Sequence, residues 1–360
     1  MRPSVPRGDA AARPVCARGQ AALPVPGVVS PDPVLQLASG LDQPDDLLSS
    51  GDLLLVGEYG SGTIARVDGP GGRLVPLPAR VPEVEGLALA GPTLLAADQM
   101  HDRVVAVTGR TVRTRFQLRP VAGVEGVDSV ATAGGALVVP DSARGAVDLL
   151  ARSGRVVRRL TGFDRPTGVW PTADGTMLVA DENAGTVLRV QPDGARTVLA
   201  RGLDLPDDVA RRGSGPLYVI AIGSDALDTV AGGSAQELVG GLGQPQGLAL
   251  DGAGNPVVTE SSAGRVDLVV VNVALVPSGP VAAVARGARL CVQLARGPGY
   301  HLPVTILPGR GYRVVAQPGR GDRGEVLPGR CTTTCRVRVA VRSGRLTGAT
   351  WLAYRTVSTG

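Results

Sequence analysis

The chain has 360 residues, 43% of them hydrophobic, with 51 Gly and 29 Pro, and it contains no run of 18 apolar residues. That composition suits many short strands joined by turns and leaves no candidate for a membrane-spanning helix. The net charge of +5 conceals a split: residues 34–270 carry 20 Arg against 28 Asp and Glu, a balance of −8, whereas residues 271–360 carry 13 Arg against Asp322 and Glu325, a balance of +11. An acidic main body argues against a nucleic-acid grip, since phosphates demand a positive surface.

All 37 basic residues are Arg, while Asn occurs three times and Ile four. This bias reads as that of a GC-rich genome, so Arg by itself carries little functional weight. Residues 1–33 contain Arg but no apolar core of a signal peptide, and they are expected to be disordered. Val34–Leu41, VLQLASGL, is then an apolar octet of strand character standing alone.

Six copies of one unit follow. They open at Gln43 (QPDDLLSSGDLLLVGEYGSGTIARV), Val84, Val127, Pro166 (PTGVWPTADGTMLVADENAGTVLRV), Leu205 and Pro245. Equivalent positions near each opening are Asp45, Glu85, Asp128, Thr167, Asp207 and Gln246, spaced 40, 43, 39, 40 and 39 residues apart. Each unit holds four strand-length apolar runs divided by Gly, Pro and Asp. A four-stranded antiparallel unit repeated about every 40 residues is a propeller blade. The sixth copy stops after its third strand, near Val270. The octet at 34–41 matches RTVLARGL at 196–203, a fourth strand, so it is expected to complete the last blade and shut the ring. Residues 34–270 thus read as a six-bladed β-propeller.

The P-x-G opening, the strand ending VAD and the run GTVLRV resemble NHL repeats and the related senescence-marker-protein/gluconolactonase and streptogramin-lyase-like propellers. The resemblance implies a divalent metal at the channel mouth, held by a Glu of an E-G pair, an Asp and Asn side chains. Glu85-Gly86 matches the E-G pair, and Asp207 and Asp45 match the Asp of a P-D opening. Thr167 and Gln246 stand where Asn would be expected. No His matches the lyase pattern.

Antiparallel blades bring two sets of side chains to one face. The inner set places four carboxylates, Asp45, Glu85, Asp128 and Asp207, around a narrow channel with Thr167 and Gln246. Like charges so close need a cation, Arg partners or raised pKa values. Hard oxygen ligands suit Ca²⁺, Mg²⁺ or Mn²⁺. With a metal, Asp128 would serve as base for water on a lactone or ester. His101, in the loop after a second strand, is a further candidate base. The outer set, Glu58, Asp98, Asp141, Asp181, Ala221 and Glu260, is read as structural, its carboxylates accepting N–H bonds from the following turn.

Residues 271–285 read as a linker and 286–360 as a small, basic β-sandwich-like domain. PGR recurs at 308–310, 318–320 and 328–330, with Pro-Gly suited to the centre of a type II turn. In CRVRVAVR from Cys335, Val337, Val339 and Val341 alternate with Arg336, Arg338 and Arg342. Cys331 and Cys335 can pair only across a turn, and Cys291 with either is the other option. A disulfide points to an extracytoplasmic location. The basic face is expected to meet an anionic surface or the propeller. The functional expectation is an extracytoplasmic protein binding a small ligand, a cation or a protein partner at the acidic face. The alternative is a metal-dependent lactonase or esterase.

Overall fold

The computed structural model describes residues 23–25, 34–50, 53–68, 73–124, 126–251, 254–269, 271, 273–276, 282–285, 290–294, 305–318, 323–329, 331, 335–343 and 346–357. The chain divides into two compact units, one built on Ser30–Val271 and one on the residues from Asn272 onward with the N-terminal stretch.

The first unit is a six-bladed propeller of six four-stranded sheets. Blade one comprises Pro44–Ser50, Leu53–Glu58, Thr63–Asp68 and Arg73–Arg80, running from the innermost strand outward. Blades two to five repeat that order. Blade six takes Pro245–Leu250, Pro256–Glu260 and Arg265–Leu268 from the end of the propeller and its fourth strand, Leu35–Ser39, from the beginning. The closure is antiparallel, with Gln36 opposite Asp267 and Ala38 opposite Val266.

One hydrogen bond shows that the closing strand is a full equivalent of the others. In every blade a residue just past the fourth strand donates its N–H to the carbonyl of the residue before the third. The pairs are Val81 to Gly62, Leu118 to Asp102, Phe163 to Gly145, Leu203 to Gly185, Leu242 to Asp225 and Leu41 to Gly264, at 2.9–3.1 Å. All six acceptor residues have left-handed φ of 50–66°, a conformation that favours Gly and tolerates Asp. All six donors bury their side chains. Leu41, from the N-terminus, therefore does for blade six what chain-local residues do elsewhere.

The core lies between blades. One apolar cluster joins Leu55, Ile64 and Val81 of blade one to Leu87, Leu94 and Val105 of blade two, and similar clusters join blades two to three, three to four, four to five and five to six. No blade covers both of its faces alone, which is why the ring must close.

The second unit holds two sheets. One orders strands Leu23–Val25, Val273–Val276, Leu290–Leu294, Arg323–Pro328 and Tyr312–Ala316; the other orders Ala282–Ala285, Leu346–Val357, Cys335–Ser343 and Thr305–Ile306. Val337, Val339 and Val341 are buried and Arg338 and Arg342 exposed. Polar bonds cross between the sheets: Tyr312 Oη donates to the Leu307 carbonyl at 2.6 Å, and the Gln317 amide brackets the Ile306 backbone at 2.7 and 2.9 Å.

Three expectations are revised here. Leu23–Val25, within the segment expected to be disordered, forms a strand against Val273–Val276; the rest of 1–33 lies outside the described residues. The expected linker contributes two strands, because its apolar runs VALV and AAVA find sheet partners. The turn after Pro308 centres on Arg310-Gly311, not Pro308-Gly309. Gly309 bridges Tyr312, and Gly311 has φ +85°, as the third position of a type II turn requires. Cys331 and Cys335 form a disulfide, their Cα atoms 6.0 Å apart.

Candidate functional site

The innermost strands begin at the channel mouth with a β-bulge. In blade one Pro44 pairs with Glu58 and Leu47 with Val56, so three steps on the inner strand face two on its neighbour. Blades four, five and six repeat this between Pro166 and Val169, Pro206 and Val209, and Pro245 and Leu248, and blade two has a bulge between Val84 and Gly86. A bulge re-aims side chains. In blades one, four, five and six it brings two consecutive residues to the channel mouth instead of one.

The second of these residues alternates around the ring. It is Asp46, Ser129 and Asp208 in blades one, three and five, and Gly86, Gly168 and Gly247 in blades two, four and six. Space enforces the glycines. A Cβ on Gly247 would stand 2.2 Å from the Asp45 carbonyl, one on Gly168 2.5 Å from the Asp207 carbonyl, and one on Gly86 2.7 Å from the Val130 nitrogen. Each even blade thus lays bare backbone against the next odd blade.

The result is a cavity of about 160 Å³ at the mouth. Asp45, Glu85, Asp128, Thr167, Asp207 and Gln246 all line it, as the repeat register anticipates. So do Asp46, Asp208, Glu182, Ser129 and Arg165, which a one-residue-per-repeat reading does not select. His101 is not among the lining residues. It is half exposed, and its Nδ1 stands 2.8 Å from Asp98 Oδ1, on the outer set.

Seven carboxylates therefore share this mouth with one basic residue among the described lining groups. Arg165 pairs with Glu182 at 2.7 Å and with Asp128 at 3.0 Å. Gln99 gives its amide nitrogen to Asp128 at 3.0 Å and also to Glu85. Asp46 accepts from the amides of Leu47 at 2.6 Å and Leu87 at 2.5 Å; Asp208 accepts from Val209 at 2.7 Å and Leu248 at 3.0 Å. Burial pushes the Asp208 carboxyl up to about 7 in spite of those two bonds, which favour the ionised form. Asp46 is raised well above the usual range by burial and then by the charge of Asp208. Asp207 is raised by burial first and then by the charges of Asp45, Asp208, Glu182 and Asp128.

The expected metal site was Asp45, Glu85, Asp128 and Asp207. Among the described residues no group of three His, Cys, Asp or Glu side chains is arranged to hold an ion. The reason is visible in the partners: the Gln99 amide lies between Glu85 and Asp128, and the Arg165 guanidinium faces Asp128. A divalent ion would have to displace both. As placed, these residues do not fit a metal.

The outer carboxylates are structural, though their donors differ from those expected. Glu58, Asp181 and Glu260 accept from backbone amides of the loop ahead of the inner strand (Asp42, Asp164 with Arg165, and Gly243) at 2.6–3.1 Å. Asp98, Asp141 and Glu260 also pair with Arg103, Arg144 and Arg265.

Fold and site together define a closed six-bladed propeller with an acidic channel mouth. No family model matches the sequence, and no curated protein matches it. Solved structures of the same fold do. A streptogramin B lyase superposes with a TM-score of 0.53 at 11% identity, over 67% of this chain and 97% of that one. A gluconolactonase from Xanthomonas campestris gives 0.51 at 14%, over 67% and 98%. The PQQ-bound aldose sugar dehydrogenase from Streptomyces coelicolor gives 0.53 at 16%, over 66% and 98%. At these identities the likeness is one of fold, and it extends to the gluconolactonase-like six-bladed architecture.

Proposed function

We propose that the chain is an extracytoplasmic binding propeller whose channel mouth takes a small cationic ligand. The observation that carries this is the composition of one cavity, with seven carboxyl groups and Arg165 among its described lining residues. Each carboxylate in such a site raises the cost of ionising the next, and an incoming cation relieves that cost. Asp45, Glu85 and Asp207 would meet the ligand's positive group. Asp128 and Glu182, already paired with Arg165, would frame it. The disulfide Cys331–Cys335 supports an oxidising compartment. Arg313, Arg338 and Arg342, exposed on the second unit, support its contact with an anionic surface.

The second reading is a divalent-metal hydrolase of lactones or esters. Its support is the fold shared with a gluconolactonase and the Glu85-Gly86 and Asp207 positions. It requires Gln99 and Arg165 to yield their places to an ion.

Thermal melts separate the two. With n-butylammonium and with Ca²⁺ as probes, the binding reading expects the melting temperature to rise with the amine and to ignore Ca²⁺ and EDTA. Stabilisation by Ca²⁺ that EDTA reverses, and that is lost in Glu85→Gln and Asp207→Asn, would establish the metal reading instead.

A further inference from the structure

Below the mouth lies a second cavity, of about 380 Å³, running along the inner strands towards the opposite end of the channel. That volume is within the range of roughly 300–1,000 Å³ usual for small-molecule sites. Its wall is mixed: Leu48, Leu87, Leu89, Val130, Val169 and Trp170 line it, and so do Ser49, Ser50 and Thr132. Among the described lining residues, Asp46 and Asp208 are the charged ones. These two, with Ser129, also line the mouth. The alternating ring of odd-blade residues is therefore a neck joining an acidic chamber to a bore of mixed lining.

We infer that mouth and bore together form one site for an amphiphilic cation, an alkyl- or arylalkyl-ammonium whose charged head sits at the mouth and whose apolar body lies along the bore. This rests on the cationic-ligand reading above and narrows it. Three observations converge. The carboxylates select a positive head. Gln99 is 4% exposed and held at the mouth by Glu85 and Asp128, yet its Oε1 has no hydrogen-bond partner among the described residues. A buried acceptor left unmade is costly, and a positive group at the mouth, such as an ammonium with its N–H donors, would satisfy it. The bore, finally, adds the side chains of Leu48, Leu87, Leu89, Val130, Val169 and Trp170, against which an alkyl chain gains by leaving water. Asp46 and Asp208 are held by backbone amides of Leu87 and Leu248, so their carboxyl groups keep fixed positions at the neck.

The test is calorimetric titration of the full chain with n-butyl-, n-hexyl- and n-octylamine at neutral pH, with 1-hexanol as the uncharged control. Burial of each added methylene is expected to tighten binding about fourfold. Ala131→Phe, which narrows the bore, should keep butylamine binding and abolish the gain with chain length. Leu89→Gln, which places an amide in the bore, should reduce that gain if the larger residue prevents folding. Equal affinity for all three amines, or hexanol binding as tightly as hexylamine, overturns the two-chamber site. In the first of those cases butylamine still binds and the cationic reading survives. Failure of every amine to bind overturns both.

Discussion

Asp46 and Asp208 stand at the same step of blades one and five, and each carboxylate clamps the neighbouring blade. Asp46 accepts the amide of Leu87 in blade two, and Asp208 accepts that of Leu248 in blade six. The same two groups form the neck of the channel. Structure and site thus share residues, and the site's charge bears directly on stability.

A pH dependence follows. The folded-state value of Asp208, about 7, is above its ordinary value near 3.8. The folded protein therefore binds more protons than the unfolded chain between those limits, and stability must fall as pH rises through that window. Melting scans from acid to neutral pH should show this decline, on the order of 4 kcal/mol for a shift of that size. Asp208→Asn should make it shallower, the raised Asp46 and Asp207 keeping the remainder, while losing about 1 kcal/mol for the weakened clamp. A melting temperature that climbs steadily over the same range would contradict the assignment.

Ring closure by the N-terminal strand gives a second expectation. A chain beginning at Asp42 loses the Gln36–Asp267 and Ala38–Val266 pairing and the buried Leu37 and Leu41. Each lost leucine is worth about 1.5–3 kcal/mol, and the edge of Arg265–Leu268 is left open. The truncated protein should melt at markedly lower temperature and self-associate in sedimentation velocity. A monomer of unchanged stability would show that the strand is dispensable.

Gly247→Ala should be poorly tolerated. The added carbon would meet the Asp45 carbonyl at 2.2 Å, so blades six and one must separate at the mouth. Overpacking of this kind costs typically 1–3 kcal/mol. Cation binding should weaken along with stability, since Asp45 moves with its backbone. Denaturant unfolding and amine titration on the same sample check both effects.

His101→Ala, by contrast, should leave ligand binding unchanged. The imidazole is half exposed and partners Asp98, which keeps Arg103 at 2.7 Å. The loss should stay below about 1 kcal/mol, as for exposed ion pairs in general. A large loss of binding in this variant would place a functional role on the outer set.

Much of this architecture was legible in the sequence because repetition amplifies weak signals. Six openings in register identify blades, and a missing fourth strand beside an orphan octet identifies closure. The inner residues Asp45, Glu85, Asp128, Thr167, Asp207 and Gln246 follow from that register. What escaped was what repetition does not encode. Asp46 and Asp208 enter the channel only because a bulge makes two successive residues face it; the doublet Pro-Asp-Asp in blades one and five was the available sign. Arg165 and Glu182 come from loops that differ between blades, and their meeting with Asp128 is a matter of tertiary geometry. Gln99 lies beside His101 in a short helical turn, and only coordinates show that it, not the histidine, reaches the mouth's carboxylates. The second unit was the least legible, because its strands pair across long stretches of chain.

The central claim is that one chamber, built from carboxylates of successive blades, receives a cationic group. Crystals grown with 3-bromopropylammonium would test it most directly, since bromine is located by its anomalous signal. The expected result is a bromine peak inside the ring at the neck or in the bore, with the ammonium among Asp45, Glu85 and Asp207. A peak confined to the outer surface, or none in a crystal whose channel is open to solvent, would contradict it.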